Sequence, residues 1–216
     1  MIDMAGTIAV IGGTGKLGAA IARRLAKAGR TVLIGSRSLE SAQNAAAELG
    51  FGLVGRTNVD AAQEADLIIV AVPFAAQTGT LADIAAHCAG KIVVDTTVPL
   101  VPPKVMRVQL PPEGSAAQRA QAQLGEGVNV VSAFHNVAAH KLATDDAINC
   151  DVLVFGDDKA SREQVVELAD LMGLRAFHAG ALGNSAAAEA LTSVLIFINK
   201  TYGPGEAGIR LTGVLE

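Results

Sequence analysis

Short, nearly unbroken apolar runs alternate along this chain with longer segments of helix-forming composition. Thr7 to Gly12 (TIAVIG) reads as a buried strand that breaks at once into glycine. Ala19 to Ala28 then has helical character and stops at Gly29, a residue suited to a helix C-terminus. Thr31–Gly35 (TVLIG) is a second apolar strand, and Ser38 is placed to cap a helix running to Leu49. Phe51–Val54 reads as a third strand and Asn58–Ala65 as a short helix. Asp66–Val72 (DLIIVAV) is apolar on both faces, as in a parallel sheet covered by helices on each side, and Pro73 stops it. Thr78–Ala86 is helical, and Lys91–Asp95 (KIVVD) is the fifth strand.

Beyond Asp95 the pattern lapses. Pro99, Pro102, Pro103, Pro111 and Pro112 crowd Thr96–Glu113, so this stretch is neither helix nor central strand but an irregular surface loop. Regularity resumes with helix Ser115–Leu124, strands Asn129–Ser132, Val152–Gly156 and Leu174–His178, and helices Ser161–Met172 and Ser185–Lys200. Repeated β-α alternation predicts an α/β fold, a Rossmann-type, doubly wound and mainly parallel sheet of about seven or eight strands. One domain is expected over residues 1–216, with a nucleotide-binding core over 1–135 and a C-terminal α/β extension over 136–216.

Composition narrows the picture. Half of the 216 residues are hydrophobic, yet the apolar C-terminal run is interrupted by Glu189, Thr192 and Ser193. No run reaches the roughly 18–20 residues that span a bilayer, so no membrane is expected as partner. The N-terminus shows no signal-peptide pattern, and the cytoplasm is the expected compartment. A net charge of −4 and only one Tyr, six Phe and no Trp argue against nucleic acid. Cys88 and Cys150 are far apart and fit no metal spacing, so they read as buried free thiols and no metal is assigned.

Candidate chemistry lies in Gly13-Thr14-Gly15-Lys16-Leu17-Gly18, a G-x-G-x-x-G that follows a strand and opens a helix. Gly13 is expected to make the tight turn, Gly15 to let a pyrophosphate approach, and Gly18 to permit close helix packing. Helix N–H groups would then face the phosphates. At the end of the second strand, where an NAD enzyme usually carries an acid, stands Gly35-Ser36-Arg37. A hydroxyl and a planar guanidinium in place of a carboxylate favour a 2′-phosphate, hence NADP(H).

Joined to Gly12 and Gly35-Ser36-Arg37, this loop resembles that of the NADPH-dependent reductases of coenzyme F420. Further stretches carry the resemblance over nearly the whole chain. They are Val72-Pro73-Phe74, Val131 to His135, Gly156-Asp157-Asp158, Ala179 to Ser185, Glu189 to Thr192 and Gly205 to Ile209. The resemblance implies reversible hydride transfer between NADP(H) and the deazaflavin, a small-molecule co-substrate. It assigns Thr14, Ser36 and Arg37 to NADP, Val72 and Pro73 to the nicotinamide border, and Val98, Pro99, His135 and Thr192 to the deazaflavin pocket. The chain departs from the family at Ser38, where a second basic residue often follows Ser-Arg, and at His135-Asn136-Val137-Ala138, which lacks a proline often found there.

Hydride transfer between flat rings needs positioning and dryness more than acid–base groups, so no catalytic side chain is assigned. His135 either touches substrate or bonds to backbone, whereas His87, His140 and His178 read as structural or exposed. Asp157 and Asp158 precede a helix and read as its cap. Lys200 and Arg210 either meet an anionic coenzyme tail or are solvated. The apolar helix Ala186–Ile198 is expected to help form a homodimer. A reductase of another flavin, quinone or small carbonyl, and a non-catalytic NADP sensor, remain open on the residues alone.

Overall fold

Side-chain alternation along four-residue strands builds both faces of the sheet in a computed structural model that describes residues 6–203 and 205–213. In β1 (Ile8–Ile11), Ile8 and Val10 enter one apolar cluster while Ala9 and Ile11 enter the other. β4 (Leu67–Val70) and β5 (Ile92–Asp95) divide in the same way. With β2 (Val32–Ser36), β3 (Val54–Thr57), β6 (Asn129–Ser132), β7 (Asp151–Gly156) and β8 (Arg175–His178), they form one eight-stranded sheet ordered β3-β2-β1-β4-β5-β6-β7-β8. The first six positions have the strand order of the dinucleotide-binding doubly wound fold. β7 is antiparallel to β6, and β8 runs parallel to β7.

Two helical layers cover the sheet. α1 (Lys16–Lys27), α2 (Leu39–Leu49), α6 (Ala139–Leu142) and α7 (Lys159–Leu171) supply residues to the first cluster. α3 (Asn58–Glu64), α4 (Phe74–Ile84) and α5 (Ala116–Leu124) supply the second. α8 (Ser185–Tyr202) runs beside α5. Each fully buried Ile or Leu in these layers stabilises the fold by roughly 1.5–3 kcal/mol before entropy is charged against it. Arg24 on α1 fastens the C-terminal part to the first helix. Its guanidinium donates to the carbonyls of Leu142, Thr144, Asp146 and Met172 at 2.7–2.9 Å.

Several boundaries differ from the sequence expectation. The third strand is Val54–Thr57, not Phe51–Val54: Phe51 and Gly52 both have positive φ, so the chain turns there. Phe51 is exposed and stacks on Arg23, with the guanidinium carbon 5.5 Å from the ring centre. α1 begins at Lys16 and α4 at Phe74, each directly off its turn, whereas α3 starts at Asn58 as expected, capped by Thr57. The short helix α6 was not expected. Asp158 does cap α7, accepting from Ser161 N at 2.7 Å, and Asp157 accepts from Leu182 N at 3.0 Å.

Candidate dinucleotide crevice and second-substrate wall

At the carboxyl edge of the sheet, β1 connects towards β2 on one side while β4 lies on the other. Ligand crevices of doubly wound sheets open at such a switch point. A crevice here is lined by Gly12, Thr14 and Gly15 from the first turn and by Ser36 and Arg37 from the end of β2. Ala71, Val72 and Pro73 line it beyond β4, and Asn58, Ala76 and Thr80 complete it. Thr14, Gly15, Ser36, Arg37, Val72 and Pro73 are thereby brought together as the sequence suggested. Gly13, Lys16, Leu17 and Gly18 do not line it with side chains: Leu17 packs on the core and Lys16 is exposed.

The glycines divide their tasks differently from expectation. The positive φ of the tight turn belongs to Gly12 (φ 76), not Gly13. At Gly13 a Cβ would stand 2.8 Å from Val10 O, so its lack of a side chain serves packing. A Cβ at Gly18 would stand 2.7 Å from Gly12 O, which keeps the first turn of α1 against the loop. Gly15 is the open one: its Cβ would meet nothing nearer than Gly12 O at 3.3 Å.

Gly15 is also the N-cap of α1, and no side chain caps the helix. Ala19 N is the first amide to close a helical bond, to Gly15 O at 2.8 Å. The amides of Thr14, Lys16, Leu17 and Gly18 have no acceptor among the described residues, so donors and a positive dipole end face the crevice. Arg37 is exposed, with no hydrogen bond or ion pair among the described residues. The set suits a dinucleotide diphosphate with a neighbouring phosphoryl group.

Farther along the same edge the polar groups are engaged within the protein. His135 is 7% exposed, and burial lowers its pKa to about 4, so the ring is neutral above that pH. Its Nε2 lies 3.0 Å from Ser132 Oγ. Thr192 Oγ1 donates to the carbonyls of His135 (3.0 Å) and Ala188 (3.2 Å) and accepts from Asn136 Nδ2 at 3.1 Å. Thr192 thus ties the turn after β6 to α8. After β5, Val98 is half-buried and Pro99 buried, and Leu100 N returns to Val98 O at 2.7 Å.

Beneath that turn, buried Asp95 accepts from Thr97 N at 3.0 Å and from Gln77 Nε2, while Arg119 donates to Gln77 Oε1. Desolvation raises the Asp95 pKa against these bonds. Glu189 of α8 accepts from Ala116 N (2.7 Å) and Ala117 N (3.1 Å) at the start of α5. Burial, reinforced by Asp95, raises its pKa to about 7 although both amides oppose the shift. Arg210 reaches buried Asp151, which Arg175 already holds through two nitrogens, so its guanidinium closes the C-terminal tail. Both cysteines are free, buried and raised in pKa by desolvation.

Residues 7–99 match the family model described as NADP oxidoreductase coenzyme F420-dependent. The F420-dependent NADP reductase of Methanothermobacter thermautotrophicus is 39% identical, over 97% of this chain and 96% of that protein. The reductase of the same description from Methanocaldococcus jannaschii is 38% identical, over 96% and 98%. The chain belongs to the F420-dependent NADP reductase family.

The resemblance extends to a solved structure from Arthrobacter sp. FB24, provisionally assigned as an F420-dependent NADP reductase. It has a TM-score of 0.83 at 26% identity and covers 96% of this chain and 99% of that one. In this family member, the sequence reading missed Asn58, Ala76 and Thr80 of the crevice. Ala76 and Thr80 fall on the face of α4 that follows Pro73, and α4 started earlier than its composition suggested. Among the described residues no helix is long and apolar enough to cross a membrane.

Proposed function

We propose that this chain is an NADP-dependent oxidoreductase exchanging hydride between NADP(H) and the deazaflavin coenzyme F420. One observation carries the reading beyond family membership: a helix N-terminus without a side-chain cap, an Arg37 with no partner among the described residues and the Val72-Pro73 turn share one crevice. The amides of Thr14 and residues 16–18 hold the diphosphate, Ser36 and Arg37 read the 2′-phosphate, and Val72 and Pro73 border the nicotinamide. When both coenzymes are bound, they supply the chemistry, a two-electron hydride exchange between their rings.

The protein's part is placement and exclusion of water. Val98 and Pro99 form an apolar wall for the second coenzyme, and neutral His135 offers a ring nitrogen without bringing a charge into the pocket. Thr192 holds the His135 turn in place. Residues 136–216 complete this second pocket as an extension of the 1–135 core. Exposed Val194 and Phe197 on α8, beside exposed Val101, Val108 and Leu110 of the proline-rich loop, support a homodimer through that face, to be checked by light scattering.

The test is spectrophotometric. NADPH and oxidised F420 mixed with the pure protein should lose deazaflavin absorbance at a rate proportional to enzyme. NADPH binding without that loss would redirect the reading to another flavin, quinone or carbonyl acceptor.

A further inference from the structure

Position 77 lies in the buried stripe of α4, one turn before Leu81 and two before Ile84, both fully buried. A Leu or Met would continue that stripe, yet the chain carries Gln77, itself fully buried. Both ends of its carboxamide are engaged. Oε1 accepts from Arg119 of α5, from Nε at 2.9 Å and Nη2 at 2.6 Å. Nε2 donates to Ala116 O at 3.0 Å and to Asp95 Oδ2. Because a guanidinium only donates, Oε1 must face Arg119, and the orientation of the amide is fixed.

Each end of this chain of bonds reaches a wall of the substrate region. On one side Arg119 Nη2 also donates to Phe74 O at 3.1 Å, and its guanidinium carbon lies 3.9 Å from the centre of the Phe74 ring. Phe74 is the first residue of α4 and directly follows Pro73 of the crevice. On the other side Asp95, which ends β5, accepts from Thr97 N at 3.0 Å, and Val98-Pro99 comes next. A buried polar chain costs desolvation that an apolar isostere avoids, so stability alone gives little reason to keep one. Fully satisfied, it does fix one arrangement of the elements it joins.

We propose that Arg119, Gln77 and Asp95 are positioning residues that set the spacing between the nicotinamide wall, Val72-Pro73, and the deazaflavin wall, Val98-Pro99. This deepens the NADP–F420 reading above and rests on it. The three act through Phe74 and Thr97 rather than on a coenzyme. Hydride transfer needs the rings within near-attack distance, and a misplacement of about 1 Å can cost ~100-fold in rate. Gln123 supplies a control: its Nε2 also ties α5 to α4, but at Thr78 O (2.8 Å), beyond the first turn of α4.

Stopped-flow mixing of NADPH-loaded enzyme with saturating oxidised F420 reads the hydride step in a single turnover, and calorimetry reads NADP affinity. Gln77→Met keeps the side-chain length and extends the apolar stripe. It should slow the hydride step at least ~10-fold while NADP affinity stays within about twofold of wild type. Arg119→Met, at a half-buried site, should do the same, and Gln123→Met should do neither. An unchanged hydride step in either of the first two variants would overturn the proposal. So would a parallel loss of rate and NADP affinity, or equal slowing by Gln123→Met, since a merely structural role produces either. Normal wild-type transfer with unaffected variants sinks the positioning role alone. If wild type passes no hydride from NADPH to F420, the reading beneath it fails and the positioning role with it.

Discussion

The helices α1 and α5 both begin near the same edge of the sheet, and their first turns are treated in opposite ways. At α5, Ser115 accepts from Gln118 N at 3.0 Å, and Glu189 reaches across from α8 to take the amides of Ala116 and Ala117. Every early donor is satisfied. At α1 the N-cap is Gly15, no acid stands in the first turn, and three amides of that turn have no acceptor among the described residues, at the helix end that borders the crevice. Orphaned helix donors cost stability unless something accepts them. The difference teaches that α5 is finished as structure, whereas α1 is left open for an anion from outside.

That contrast can be broken at either end. Gly15→Asp would give α1 its own cap: the φ −78, ψ 160 backbone is open to any residue, and its Cβ would stand 3.3 Å from Gly12 O, a contact that a shift of a few tenths of an ångström relieves. NADP affinity should fall at least ~100-fold by competition and repulsion, while stability rises by about 1 kcal/mol, read as a melting point a few degrees higher. Loss of affinity without that rise would count against an uncapped, ligand-ready α1.

The α5 end is probed by pH. Glu189 keeps its proton to about 7 in the fold, against 4.5 as its ordinary value. Its contribution is therefore complete below 4.5 and is lost as pH rises through 7. Linkage makes that loss about 3 kcal/mol, some 2.5 pH units between 4.5 and about 7 at roughly 1.4 kcal/mol each. Thermal melts of Glu189→Gln across this window should lack most of the alkaline decline that wild type shows.

Two smaller effects sharpen the comparison. Arg37→Ala should cost NADP binding ~1.5–3 kcal/mol by titration while barely altering NAD. Equal weakening of both would remove Arg37 from the 2′-phosphate. Thr192→Val breaks the tie between α8 and the His135 turn. It should cost about 1 kcal/mol of stability and raise KM for the deazaflavin several-fold, with NADP affinity intact.

How much of this was legible in the chain follows from where the information is stored. The glycine loop, Ser36-Arg37 and the buried central strands are local, since each rests on residues adjacent in sequence. Strand β3 was misplaced because it is an edge strand, and VGRT carries no apolar run to mark it. Only a glycine fits at Gly55, because α2 packs directly on it: a Cβ would stand 2.3 Å from Gln43 N. Asn58 and Glu189 were invisible for a different reason. The place of Asn58 on the crevice and the bonds of Glu189 to Ala116 and Ala117 arise only in the fold, and no spacing within the sequence announces them. Thr192 was noticed, but its three bonds to the protein emerge only when α8 is seated against the turn after β6.

The central claim is that the unpaired donors of the first crevice receive a dinucleotide bearing a 2′-phosphate. Calorimetry of the unmodified protein with NADP and NAD side by side tests it most directly. The account predicts saturable heat with NADP at an affinity at least ~10-fold above that for NAD, as one charge-assisted pair at Arg37 requires. Equal affinities, or no heat with either nucleotide, would contradict it.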